Sequence, residues 1–323
     1  MDAIKTLCML NTDLCPNALE CLRGITQLDH LPISRDVLLE KIAEYDAYFG
    51  HTDIMIDKKI IDRAKKLKVI AAPSTGTDHL DMELLKERGI TVLSLTKEYA
   101  LLDNFTATAE CSWALLLACV RKLPAAFASV RAGNWAREEY TGRQLSGKVL
   151  GVLGVGRLGK MTVEYGKAFR MRVIGCDPKD FTIPGVERVD FETLLQESDV
   201  ISIHIHLRNE TRKLISGDAF NRMKHGVIIV NTSRGGIIDE AEFLKALESG
   251  KVAAAGLDVI DGEWLEDITK HPLVHYAQEH DNLIITPHIG GATVEAIAGA
   301  RNYMAQKLSD YIVNNFRQEK HNA

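Results

Sequence analysis

Strand-length apolar runs alternate with amphipathic stretches along almost the whole chain. The apolar runs are TLCML, DAYFG, VIAAP, VLGVLGVG, RVIGCD, VISIHI, GVIIVNT, AAAGLDV and NLIITPH. Between them lie DRAKKLK, MELLKERG, FETLLQES, ISGDAFNRMK and EAEFLKALESG, which carry apolar positions at helical spacing. Strand–helix alternation with short turns predicts an α/β protein whose parallel sheet is covered on both faces. Residues 98–122, EYALLDNFTATAECSWALLLACVRK, predict one long helix able to join two lobes. A further helix is expected from Thr293 to Phe316, after the last strand. If that tail returns to the first lobe, the first domain is discontinuous: residues 1–98 plus 293–323, with 99–292 between them. There is no low-complexity tract and no solenoid period.

Composition narrows the picture. A chain of 323 residues, 46% hydrophobic and 26% charged, has ample core for about two domains. A net charge of −5 argues against a nucleic-acid partner and offers no basic face to a membrane. It leaves room for a locally basic pocket that takes an acidic substrate. The six cysteines form no C-x-x-C pair and no zinc spacing, so no metal is expected and the thiols read as scattered and reduced. Cys15 and Cys21 could pair, although nothing in the sequence requires it. The start, MDAIKTLCML, reads as a first strand rather than a signal peptide. The most apolar helical run, Trp113 to Val120, is too short to cross a bilayer. The expectation is therefore a soluble cytoplasmic protein.

The strongest local signal is a glycine turn. Gly154, Gly156 and Gly159 stand in G-x-G-x-x-G spacing after one predicted strand and at the head of a helix predicted from Arg157 to Phe169. The next strand ends at Asp177. That context is the one a dinucleotide needs. Gly154 permits the tight turn, Gly156 lets a pyrophosphate approach the backbone, and Gly159 lets helix and strand pack closely. The helix N-terminus offers N–H groups and partial positive charge to the phosphates. Asp177 can accept from both adenosine ribose hydroxyls and would repel a 2′-phosphate, favouring NAD over NADP. A packing turn in an α/β protein and a methyltransferase are the other readings of this stretch taken alone.

Three later segments each follow a predicted strand with polar residues: Arg234 in IIVNTSRGGIIDEAEF, Asp258 and Glu263 in AAAGLDVIDGEW, and His288 in NLIITPHIGGAT. Ligands of open parallel sheets bind outside the carboxyl ends of the strands, so all three would face the glycine turn. Reduction of a 2-keto acid needs a hydride donor, a proton donor and a cation for the carboxylate. Arginine offers a planar fork to carboxylate and carbonyl oxygens. Histidine exchanges protons near neutrality, and a neighbouring carboxylate raises its pKa. Each residue alone has a plainer reading: a surface arginine, a loop histidine, a solvated acid. Together, behind a dinucleotide turn, they point to hydride transfer at a carbonyl.

Read together, STGTDHLD (74–81), QLSGKVLGVLGVGRLGK (144–160), VNTSRGGIIDE (230–240), GLDVIDGE (256–263) and TPHIGGAT (286–293) resemble the D-isomer-specific 2-hydroxyacid dehydrogenase family. TAE (108–110), NW (134–135) and SDVISIHIHLRNET (198–211) match more weakly. The resemblance implies two Rossmann-like, doubly wound parallel-sheet domains, the substrate lobe being discontinuous, in a homodimer. It implies that Arg234 binds and polarises substrate, His288 is the acid/base and Glu263 tunes it. Ser74, Thr75 and Gly76 would present backbone N–H groups to the substrate carboxylate. Thr108, Arg157, Leu158, Asp177, Thr232, Ser233 and Asp258 would contact NAD. The D-stereochemistry comes from the resemblance alone.

The chain departs from the family's usual pattern at three places. His206 stands where proline is usual and could stack on or hydrogen-bond the cofactor. Arg208 stands where threonine is usual and could bind a 2′-phosphate. Trp264 replaces a common proline, as a wall near the active site or as a loop anchor. Ala72 stands where phosphoglycerate dehydrogenases usually carry arginine, and the chain stops about 35 residues after His288 without a regulatory domain, so 3-phosphoglycerate is disfavoured. His51, with Thr52, is expected to approach the substrate side chain, and Asp78 and His79 to cap the next helix. The competing reading is an NAD-sensing corepressor-like binding protein of the same fold.

Overall fold

A computed structural model describes residues 4–264 and 267–317. The chain divides into two compact units, one formed by the segment ending at Phe105 together with the segment beginning at Ala292, the other by Thr106–Gly291.

The first unit is a five-stranded sheet of β1 (Lys5–Met9), β2 (Gln27–His30), β3 (Ala47–Gly50), β4 (Val69–Ala71) and β5 (Thr91–Leu93), in the order β2-β1-β3-β4-β5. All its pairings are parallel. Its helices are α1 (Arg35–Lys41), α2 (Lys58–Arg63), α3 (Met82–Glu87), α4 (Tyr99–Leu102) and, from the end of the chain, α12 (Val294–Ile312). Successive strand residues face opposite sides, so Tyr48 and Ile70 join one apolar cluster while Phe49 and Ala71 join the other. The second cluster is closed by the α12 stripe Ala300, Met304, Ala305, Leu308 and Ile312. Glu98 fastens α12 further, accepting from Tyr303 Oη and Lys307 Nζ.

The second unit holds seven parallel strands: β6 (Val149–Leu153), β7 (Arg172–Cys176), β8 (Val186–Arg188), β9 (Val200–Ile203), β10 (Val227–Asn231), β11 (Val252–Leu257) and β12 (Leu283–Ile285). Their order is β12-β11-β10-β9-β6-β7-β8. Its helices are α5 (Ala107–Arg121), α6 (Leu123–Arg131), α7 (Arg157–Ala168), α8 (Phe191–Glu197), α9 (Gly217–Arg222), α10 (Glu240–Glu248) and α11 (Pro272–Glu279). The chain runs outward through β7 and β8, then returns to lay β9 on the other side of β6. That reversal puts a switch point, where open α/β sheets bind ligands, at the carboxyl ends of β6 and β9. Among the described residues, no single helix is long and apolar enough to cross a membrane.

Four local expectations change. The helix expected over 98–122 is two helices, α4 and α5, because the Asp103–Asn104 pair interrupts it. Asn104 Nδ2 turns back to the Ala100 carbonyl at 3.0 Å, the kind of local bond by which such residues compete with helix propagation. DRAKKLK is mostly not helical: α2 begins earlier, where Asp57 Oδ1 accepts from Ile60 N at 3.2 Å, and ends at Arg63. The cap of α3 is Asp81, which accepts from Leu84 N at 3.0 Å, and not Asp78 or His79. Strands β2, β5 and β8 escape the apolar pattern because they are sheet edges whose residues are largely half-buried or exposed. Cys15 and Cys21 are separate free thiols.

Candidate active site

The glycine turn follows β6 directly. Gly154 has φ +92°, and a Cβ there would stand 2.7 Å from the His204 carbonyl oxygen. A Cβ on Gly159 would stand 2.0 Å from the Gly154 oxygen. Both positions exclude any side chain. Gly156 differs: a Cβ there would meet nothing within 4 Å, and as the N-cap of α7 it supplies no side-chain cap. The first turn of α7, which begins with Arg157 and Leu158, is therefore open to an anion from outside the chain. Asp177, past the end of β7, braces this turn. Its Oδ2 accepts from Val155 N at 2.8 Å and its Oδ1 from Lys179 N at 2.8 Å. Beyond β9, His206 and Arg208 are exposed in a turn closed by Thr211.

Asn231, at the end of β10, shapes the next turn. Its Oδ1 accepts from Ser233 N at 2.9 Å and its Nδ2 donates to the Arg234 carbonyl at 2.9 Å. Ser233 Oγ donates to the Ile203 carbonyl at 2.7 Å. Arg234, half-buried, is thus set at the head of a single helical turn, Gly235–Ile237. Thr232 beside it is 6% exposed, and its buried Oγ1 has no partner among the described residues.

His288 and Glu263 meet at the ends of β12 and β11. Nδ1 of His288 lies 2.8 Å from Oε2 of Glu263. A carboxylate only accepts, so Nδ1 is the donor and Nε2 is left as the exchanging nitrogen. That hydrogen bond is the main cause raising the His288 pKa above the ordinary histidine value. Burial opposes it, the Glu263 charge adds to it, Arg234 lowers it and Asp258 raises it. The mutual influence of these charges places Arg234, Glu263, Asp258 and His288 in one electrostatic neighbourhood.

Asp258, 1% exposed, organises the loop that carries His288. Its carboxylate accepts from Thr286 Oγ1 at 2.6 Å, Ile289 N at 2.9 Å and Gly290 N at 2.7 Å. Thr108, in the first turn of α5, borders the same loop: a Cβ on Gly290 would stand 3.3 Å from its Cγ2.

The remaining candidates belong to the first unit. His51 follows β3 and Ser74 follows β4, neighbouring strands of its sheet. Ser74 Oγ donates to the Gly76 carbonyl at 2.7 Å, and Thr96 Oγ1 donates to the Thr75 carbonyl at 2.8 Å. These bonds fix the loop by its carbonyls. Among the described residues, the N–H groups of Thr75 and Gly76 have no backbone partner. His51 Nδ1 lies 3.1 Å from Asp53 Oδ1.

Sequence reasoning passed over two features. His204, after β9, has Nε2 2.8 Å from Ser202 Oγ, while its buried Nδ1 has no partner among the described residues. Burial pushes its pKa down to about 4, so the ring is neutral. Only its place at the switch point could have singled it out. Glu240 and His271, which meet around Asp261, were also missed. Trp264 is 37% exposed.

Residues 113–290 match the family model for the NAD-binding domain of D-isomer-specific 2-hydroxyacid dehydrogenases. The chain is 40% identical over 268 residues to a D-3-phosphoglycerate dehydrogenase of Archaeoglobus fulgidus, covering 82% of this chain and 49% of that protein. It thus spans about half the length of that relative. It is 39% identical over 265 residues to a hydroxypyruvate reductase of Thermotoga maritima, covering 82% of this chain and 84% of that one. Its fold is similar to the crystal structure of a D-lactate dehydrogenase from Aquifex aeolicus complexed with NAD and lactic acid. The TM-score is 0.84 and the identity 26%, over 98% of this chain and 97% of the other.

Proposed function

Since the chain belongs to the D-isomer-specific 2-hydroxyacid dehydrogenase family, we propose that it transfers a hydride between NAD and C2 of a small D-2-hydroxy acid or 2-keto acid. NAD, when bound, supplies or takes up the hydride. The open Gly156 position, the uncapped start of α7 and the carboxylate of Asp177 suit its pyrophosphate and adenosine ribose. Thr108, Thr232, Ser233 and Asp258 are the further residues proposed to contact it, with His206 near its adenosine end.

The rest is performed by side chains of this protein. Arg234 takes the substrate carboxylate and polarises the C2 carbonyl. In the first unit, the N–H groups of Thr75 and Gly76 are the ones left to a carboxylate, since that of Ser74 is already given to the Ala72 carbonyl at 2.8 Å. His288 Nε2–H gives its proton to the carbonyl oxygen during reduction and recovers it during oxidation. Glu263 stabilises the imidazolium. The observation that carries this reading is the 2.8 Å His288–Glu263 bond in the field of Arg234.

On the substrate side chain, Ala72 is 1% exposed and brings no charge, whereas His51 is polar and half-buried. That supports a small polar substituent over a phosphate ester. A homodimer is supported by α6, which has no buried residue, and by exposed Phe127 (64%), Val130 (54%) and, just beyond it, Trp135 (81%). Free cysteines suit a reducing cytoplasm.

The direct test is NADH oxidation with glyoxylate, pyruvate, hydroxypyruvate, oxaloacetate and phosphonopyruvate. Turnover of a small polar member is expected. Tight NADH binding without turnover of any of them would reject the dehydrogenase reading in favour of a binding protein.

A further inference from the structure

Away from the reacting groups, two ionisable side chains grip one residue from both sides. Glu240 opens α10, and its Oε1 accepts from the Asp261 N–H at 2.8 Å. His271, 3% exposed, is the N-cap of α11, and its Nε2 lies 2.9 Å from the Asp261 carbonyl oxygen. The Nδ1 of His271 accepts from Leu273 N at 3.2 Å, so that nitrogen carries no proton and Nε2 is the donor. The same Nε2 lies 3.2 Å from Oε2 of Glu240, which joins the two side chains.

The gripped peptide also abuts the arginine turn. Gly235 follows Arg234, and a Cβ on it would stand 1.9 Å from the Ile260 carbonyl carbon and 2.1 Å from Asp261 N. Asp261 precedes Glu263 by two residues. The Ile260–Asp261 peptide is therefore the joint at which the Arg234 turn and the Glu263 loop are held in register. Burying a carboxylate and an imidazole costs desolvation. An apolar pair could fill the same space, but it would leave the Asp261 N–H and C=O without partners.

We propose that Glu240 and His271 are a positioning pair which, by holding Asp261 against Gly235, keeps the Glu263 carboxylate in hydrogen-bond reach of His288. This rests on the reading of His288 as the proton-transfer group. The charges acting on His288 are Glu263, Arg234 and Asp258. Those facing Glu240 are the carboxylates of Asp261 and Asp239, beside the neutral ring of His271. Glu240 is not among the charges on His288, so an effect of its loss travels through position, and the sign tells which group moved: withdrawal of Glu263 lowers the His288 pKa, whereas withdrawal of Arg234 raises it.

The test is an NMR titration of the His288 ring in the full chain, its signal assigned by loss in His288→Gln. In Glu240→Ala the His288 pKa should fall from its raised value toward the ordinary ~6.5, by about half a unit or more. Glu240→Gln keeps the acceptor for Asp261 N but sets an amide N–H against the His271 Nε2–H, so its His288 pKa should lie between that of Glu240→Ala and that of the unmodified chain. With a 2-keto acid that is turned over, kcat of Glu240→Ala should drop on the order of 10-fold with the KM for NADH unchanged. Where Glu240→Ala does not fold, Glu240→Asp, one methylene shorter, is read by the same titration. A folded Ala or Asp variant with the unmodified His288 titration overturns the proposal. Failure of every keto acid in the unmodified chain would sink the dehydrogenase reading instead, and the titration would still decide the pairing.

Discussion

The His288 N–H donates to the Asp258 carbonyl at 3.0 Å, and this bond pins a histidine whose φ is +52°. Few residues other than glycine hold that conformation without strain. The Asp258 carboxylate, with its three donors, clamps the residues on both sides of the histidine. Asp258→Asn turns one of those acceptors into a donor facing a backbone N–H. It should lower stability by about 2–3 kcal/mol, since bonds to charged groups are worth that much. His288→Gly, by contrast, removes the strain and should keep or raise Tm while abolishing proton transfer. Thermal melts of the two variants, taken beside their activities, check both outcomes.

The raised His288 pKa fixes the sign of the pH dependence. Reduction needs the imidazolium, so kcat/KM for keto-acid reduction should hold at low pH and fall as pH rises through the raised pKa. Oxidation needs the neutral ring and should rise through the same value. Glu263→Gln removes the chief cause of the shift, so both limbs should move to lower pH, with reduction at neutral pH slowed on the order of 10²-fold. Limbs that stay in place would show that Glu263 does not tune the histidine.

How much of this could be read from the chain alone depended on where each group gets its meaning. The glycine turn was legible because its requirement is local: Gly154 and Gly159 have no room for a Cβ, and that demand leaves its mark in a few adjacent letters. Arg234, Glu263 and His288 were legible as ends of apolar runs, since parallel strands deliver their last residues to one edge. Strands β2 and β8 were not, because an edge strand half in water carries no apolar run. The break at Asp103–Asn104 was hidden by apolar residues that read as helix on both sides. Glu240 and His271 were illegible for a different reason. Their partner, Asp261, is distant from both in sequence, and nothing in the letters announces a side chain whose work is done on another residue's backbone.

The fork of Arg234 can meet a carboxylate and a carbonyl at once, and lysine cannot reproduce that geometry. Arg234→Lys should cut kcat/KM for the keto acid on the order of 10²-fold or more. The turn beneath it is held mainly by the two Asn231 bonds and the Ser233 hydroxyl, the guanidinium adding one bond from Nη1 to the Ser233 carbonyl at 2.6 Å, so NADH affinity, read by fluorescence titration, should stay within about 2-fold. Equal loss of both would refute the assignment.

Asp177 does two things, and one substitution separates them. As the acid past β7 it is the residue proposed to take an adenosine ribose, and through Oδ2 it holds the Val155 N–H of the glycine turn. Asp177→Ala should therefore weaken NADH binding and at the same time relax discrimination against NADPH, because the charge that repels a 2′-phosphate is gone. Arg208, exposed after β9, is then available to an added phosphate. The readout is the ratio of the two dissociation constants. A ratio equal to that of the unmodified chain would assign the preference to another group.

The three glycines of the turn should respond differently to the same added methyl. Gly159→Ala would force a Cβ to within 2.0 Å of the Gly154 oxygen, a backbone atom that cannot give way, and should prevent correct packing of α7 on β6. Gly154→Ala adds strain at φ +92° to a 2.7 Å clash with His204. Gly156→Ala meets nothing within 4 Å and sits at an ordinary φ of −76°, so the folded chain should tolerate it, with Tm within a few degrees of the unmodified protein. Yet that empty space is where a pyrophosphate would approach the backbone. The same variant should lose NADH affinity on the order of 10-fold, about 1.4 kcal/mol. A Gly156→Ala protein that is stable and still binds NADH as before would mean that the phosphates lie somewhere other than at the start of α7.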